Sequence, residues 1–138
     1  MNSLNSYLKE NQKKDIKIDS TLNEGADHFR FDVYWENEKT AEVRVETTEV
    51  FINRIVLHPA KQIFAKDQMT RYELGRILKS RCWDEKRRDM SKLLSLIGVD
   101  EYNPYKICRK THGCMVQDHI WFLYEDEHLT YEEVKGLT

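Results

Sequence analysis

From Phe29 to Trp35 the chain alternates strictly, with Phe29, Phe31, Val33 and Trp35 on one side and Arg30, Asp32 and Tyr34 on the other. A period of two belongs to an extended strand buried on one face only. After the polar stretch Glu36-Asn37-Glu38-Lys39 the alternation resumes, with Ala41, Val43 and Val45 facing in and Glu42, Arg44 and Glu46 facing out. The two runs predict an antiparallel hairpin. Thr48 to Leu57 is β-branched and apolar enough for a third strand, which ends at His58-Pro59 because proline has no amide to offer a ladder. A meander with one apolar face needs a cover.

The following segment supplies helices to cover it. Thr70-Arg71-Tyr72-Glu73 is a capping box, and Leu74, Ile77 and Leu78 form the buried stripe of a helix ending near Arg81. Asp84 is placed to cap a second helix that buries Met90, Leu93, Leu94 and Ile97 and stops at Gly98. Asn103-Pro104 puts a cap before a proline in the first helical position, and that helix runs through Ile107 to a stop at Gly113. His119 to Tyr124, with Trp121, reads as a strand, and Thr130 to Glu133 as a second capping box opening a last helical turn. Upstream, 3–11 has helical spacing at Leu4, Tyr7 and Leu8, 15–19 alternates like an edge strand, and 23–27 reads as a turn.

At 138 residues, with 40% hydrophobic content, the chain is long enough for one domain with a real core. No window approaches the roughly 18 uninterrupted apolar residues of a membrane span, and the N-terminus has no signal-peptide run, so a cytoplasmic protein with no membrane partner is expected. A reducing compartment leaves Cys82, Cys108 and Cys114 as buried small hydrophobes, metal ligands or free thiols. Charge is uneven: residues 1–60 carry a net −3, 61–110 a net +6 and 111–138 a net −5. A basic middle between acidic flanks suits a phosphate or an acidic protein face, or else is the solvated side of two helices.

Two clusters bear on chemistry. Cys108, His112, Cys114 and His119 have the residue types a tetrahedral zinc takes, and Cys108 and His112 lie four apart on one helix face. Structural zinc is the one candidate cofactor. Lys79, Arg81, Lys86, Arg87 and Arg88 surround Trp83, where arginine forks can clamp an acidic group and the indole can anchor a partner or plug the corner between helices. Neither a nucleophile elbow, a P-loop, nor an H-E-x-x-H occurs, and Asp118-His119 and Asp126-Glu127-His128 read as surface residues, so an enzyme is not expected.

Arg81-Cys82-Trp83, Arg87 or Arg88, Leu93 to Gly98, Tyr102-Asn103-Pro104, Thr111-His112-Gly113 and Asp118 with Trp121 together form a pattern over about the last half of the chain. It resembles small accessory proteins of bacterial phages and integrative elements. The order of sheet, helix, arginine-bearing turn and D-x-x-W is also similar to the N-terminal accessory part of HipA-like toxin kinases, whose phosphate-binding and catalytic lobe has no counterpart here. Cys108 and Cys114 do not belong to the pattern. The resemblance implies a mobile-element protein that disables a host defence protein or regulates the element.

These readings predict an α+β domain spanning 1–138. It comprises an N-terminal arm (1–27), a β-meander (28–58), a helical part (70–113) and a C-terminal strand and short helix (119–138). An antiparallel sheet of three to four strands is covered by two or three helices. The expected function is non-enzymatic inhibition, of the anti-CRISPR type, of a host defence nuclease such as Cas9. The contact residues are Lys79, Arg81, Trp83, Lys86, Arg87 and Arg88, and acidic strand faces serve as a nucleic-acid mimic. The alternatives are a small nucleic-acid-binding regulator using the basic 79–110 face and an orphan toxin-antitoxin accessory domain.

Overall fold

The computed structural model describes residues 28–137, and the expected 1–27 arm, with its helical, strand and turn segments, lies outside them. Five strands form one antiparallel sheet: β1 Phe29–Trp35, β2 Glu38–Val45, β3 Glu49–Arg54, β4 Gln68–Thr70 and β5 Ile120–Tyr124, in the order β4-β3-β2-β1-β5. The helices among the described residues are α1 Arg71–Lys79, α2 Met90–Ile97, α3 Pro104–Thr111 and α4 Tyr131–Leu137. The α+β class matches the alternation and capping signals. The sheet, however, has five strands where the sequence predicts three to four. The extra one, β4, is three residues long with one apolar side chain, Met69 opposite Val50, too short to show a period.

Register follows the apolar side of each strand. Phe31 lies between Val43 and Tyr124, Val33 between Ala41 and Phe122, and Val43 between Phe31 and Ile52, so one face of the sheet is a continuous buried layer. Each Val, Ile and Phe side chain of this layer contributes about 1.5–3 kcal/mol by leaving water. A register shift after Val33 leaves Thr40 as the extra residue in β2. Its hydroxyl donates to Val33 O, and its carbonyl accepts from Ile55 N, Val56 N and Gln62 Nε2, so the bulge fastens the loop that follows β3.

Helices α1 and α3 lie on the buried face, where Leu74, Leu78, Tyr105 and Cys108 join the sheet core. Helix α2 does not reach the sheet. Met90, Leu94 and Val99 pack with Ile107 of α3 in a second, smaller core, and Cys82 touches both. The cap at Thr70 is the one expected: Glu73 N donates to Thr70 Oγ1 and Thr70 N to Glu73 Oε1. Asn103 caps α3 through Tyr105 N and Lys106 N. The start of α2 differs from expectation, because Asp84 takes Lys86 N in a turn and the helix begins only at Met90. Residues 84–89 are charged and exposed, so no apolar stripe holds them helical.

The outer edge of β5 is closed. Ile120 N donates to Asp118, Phe122 N to His112 O and Tyr124 N to Glu127, so every outward amide of the strand has a partner. The turn that reaches Phe122 needs left-handed backbone at His112 (φ 58) and Gly113 (φ 62), and a Cβ on Gly113 would come under 3.0 Å from the Phe122 ring. Gly98, the C-cap of α2 at φ 75, faces open space. Gly98→Ala is therefore expected to cost about 1–2 kcal/mol, the left-handed penalty alone. Gly113→Ala adds a steric clash and is expected to cost about 3 kcal/mol or more, which urea melts of the two variants will compare.

Candidate functional site

Beyond α1 the chain winds one further turn, with Arg81 N bonded to Leu78 O and Cys82 N to Lys79 O, which rotates Arg81 inward. Its side chain is 7% exposed. Nε donates to Gly113 O at 2.7 Å, Nη1 and Nη2 donate to the Asp118 carboxylate at 3.1 and 2.9 Å, and Nη2 also reaches Ile120 O. This fork occupies the guanidinium inside the molecule, and Arg81, expected as a partner contact, is not available to one. Burial raises the Asp118 carboxyl, but the Arg81 hydrogen bonds, the Ile120 amide and the Arg81 charge outweigh it and hold the group below its usual value.

The remaining basic residues divide. Lys79 and Lys86 line an open cleft of about 360 Å³ with Trp83, Cys82, Asp84, Glu85 and Tyr102. Trp83 is half-buried against the smaller core, and its carbonyl accepts from Tyr102 Oη at 2.6 Å. Burial, with Cys82 and Glu85 nearby, pushes the Tyr102 hydroxyl up, so it stays a neutral donor. Lys79 pairs with Glu85 at 3.2 Å, and Arg87 with Asp89 at 2.6 Å. Lys86 and Arg88 are exposed and have no acidic partner among the described residues. Three of the six sequence-predicted contacts thus share one cleft, exposed Arg87 and Arg88 are not among its lining residues, and Arg81 is buried next in sequence to Cys82 of its wall.

The four zinc candidates go to separate tasks. Cys108 is enclosed, 3.8 Å from Cys82, with its thiol on Leu78 O. His112 Nε2 is 2.8 Å from Glu127. Cys114 is half-buried, and burial pushes its thiol up to about 11. His119 is exposed and contacts Glu36 and Tyr131. Among the described residues no group of three or more His, Cys, Asp or Glu side chains is placed to hold a metal. The outward sheet acids, expected as a nucleic-acid mimic, make surface pairs: Asp32 and Glu42 with Lys39, Glu42 also with Asn53, and Glu46 with Arg44. No helix among the described residues is long and apolar enough to cross a membrane.

Sequence reading missed three side-chain pairs: Arg81 with Asp118, His112 with Glu127 and Cys82 with Cys108. They join positions 37, 15 and 26 residues apart, with no local spacing to announce them. Comparison with protein-family models, curated proteins and solved structures found no match.

Two outcomes follow for the Arg81 fork. Arg81→Ala leaves Asp118 and two carbonyls without their donor and is expected to cost about 2–4 kcal/mol, against under about 0.5 kcal/mol for the exposed Arg87→Ala, by denaturant titration. The depressed Asp118 carboxyl adds stability that is complete above the ordinary aspartate value, about 3.9, and is lost as pH falls through its lower folded value. Acid titration of stability should therefore show a descending limb below about pH 4 that Asp118→Asn makes shallower.

Proposed function

We propose that this chain is a non-enzymatic protein-binding domain of the anti-CRISPR type, carried by a mobile element and acting in the cytoplasm. It would seat an acidic surface of a host defence nuclease on the corner formed by residues 79–102. The observation that carries the reading is the cleft walled by Trp83 and Tyr102 and lined by Lys86, with exposed Arg88 two residues further along; neither cation has an acidic partner among the described residues. Aromatic walls with a cation beside them suit a protein anchor. The sequence pattern from Arg81 to Trp121, similar to phage and integrative-element accessory proteins, supplies the class of partner.

Against a nucleic-acid regulator stands the charge of the cleft itself. Asp84 and Glu85 line the same wall as Lys79 and Lys86, and Lys79 is already paired. A phosphate backbone laid there would meet carboxylates as often as cations. An acidic protein surface can instead place single carboxylates opposite Lys86 and Arg88 while its apolar groups meet Trp83. This reading does not call on zinc: Cys108 lies against Cys82, His112 against Glu127 and His119 against Glu36.

The test is binding of the purified protein to a guide-loaded CRISPR nuclease, with target DNA cleavage measured in parallel. Expected are inhibition of cleavage and an affinity about tenfold lower for the double variant Lys86→Ala and Arg88→Ala. Binding to naked DNA or RNA that falls steeply with salt would move the assignment to the regulator, and capture of a partner kinase would move it to the orphan accessory domain.

A further inference from the structure

Two of the three thiols meet where the two cores join. Cys82 Sγ and Cys108 Sγ are 3.8 Å apart across 26 residues of sequence, and both lie within hydrogen-bond reach of one carbonyl, Leu78 O, at 3.2 and 3.4 Å. Their access differs. Cys108 is enclosed in α3, whereas Cys82 is half-buried and forms part of the cleft wall. Cys114 has no hydrogen bond to either.

We propose that Cys82 and Cys108 are an oxidisable dithiol, which a low-molecular-weight disulfide such as oxidised glutathione converts into an intrachain disulfide by way of Cys82. In the first step the Cys82 thiolate attacks one sulfur of oxidised glutathione. A bond forms from Cys82 to that sulfur, the glutathione disulfide breaks, and one glutathione leaves as a thiol carrying the proton Cys82 lost. Next, Cys108 attacks Cys82 Sγ and expels the second glutathione, which takes up the Cys108 proton. Two cysteines lose two electrons and two protons, and one glutathione disulfide becomes two thiols.

The geometry supports both steps. A disulfide bond is about 2.05 Å long, so the sulfurs must close by somewhat under 2 Å. Cys82 lies between α1 and α2, outside both helices. Leu78 O gives up only weak thiol donors. The order of attack is built in. The hydrogen bond to Cys82, then burial, then the Cys82 charge hold the Cys108 thiol well above its ordinary value, so exchange starts at Cys82. Capping Cys82 removes the first and third of these influences, while burial and Cys114 still raise the Cys108 thiol and the Arg81 charge still lowers it. A disulfide of this kind in a reducing compartment is transient and acts as a sensor. Since Cys82 lines the cleft, closing it reshapes the wall next to Trp83. That last consequence rests on the partner-binding reading, and the disulfide does not.

The experiment equilibrates the folded full-length protein with graded ratios of reduced to oxidised glutathione. Thiols are counted, intact mass is measured, and peptides are mapped without reduction. Expected is a fall from three free thiols to one, a product lighter by two hydrogens with no glutathione attached, and a linked peptide pair containing Cys82 and Cys108, reversed by dithiothreitol. Cys114→Ser should lose its remaining two thiols in the same way, and Cys108→Ser should stop at a glutathione adduct on Cys82. A persistent adduct on Cys82 in the unaltered protein, a cross-link through Cys114, or three intact thiols at ratios that oxidise an ordinary protein dithiol would overturn the assignment. The peptide map of the unaltered protein decides this even where a variant fails to fold. Nuclease binding plays no part in the readout, so its failure and the failure of the functional reading are separate results.

Discussion

One buried guanidinium holds the two halves of this molecule together. Arg81 comes from the turn after the first helix, yet its acceptors belong to the turn after the third helix, to Asp118 and to the start of the last strand. A charge taken out of water is costly unless it is paired and hydrogen-bonded, and this fork makes four hydrogen bonds, to a carboxylate and two carbonyls. The alignment of α1 with α3 and of α3 with β5 depends on it. The half-exposed corner around Trp83 follows directly on the segment that Arg81 anchors, so its position is tied to an ion pair beneath it.

Local signals in the chain were readable wherever the physics is local. Period-two alternation at Phe29 to Trp35 and Ala41 to Val45 gave the hairpin because pleating alone decides which side chains face the core. Thr70 with Glu73, Asn103 with Pro104, and Gly98 marked helix ends because capping is settled within four residues. The start of α2 was misplaced because Asp84 satisfies a turn amide with the same carboxylate chemistry it would use on a helix. Strand β4 was invisible because three residues carry no period.

The site was less legible than the fold. The composition of the basic run pointed to one corner of the fold, and Lys79, Trp83 and Lys86 do share a cleft there. What the run could not tell is which of its cations look inward. Arg81 and Arg87 have the same chemistry six positions apart, but one is enclosed and the other pairs with a neighbour two residues on. That difference is made by Asp118 and Gly113, far along the chain. The same holds for the cysteines: Cys108 and Cys114 suggested a metal by proximity in sequence, whereas the close neighbour of Cys108 in space is Cys82.

The sealed margin of β5 has a further consequence. With its outward amides taken by Asp118, His112 and Glu127, and the Ile120 carbonyl taken by Arg81, this strand offers no template for another chain to extend the sheet. Aggregation by strand addition is blocked on that flank. A binding partner likewise gains nothing there from main-chain pairing, which tolerates almost any sequence. Recognition on this side of the molecule must be carried by side chains, and side-chain recognition is selective: it restricts the protein to surfaces whose shape and charge fit.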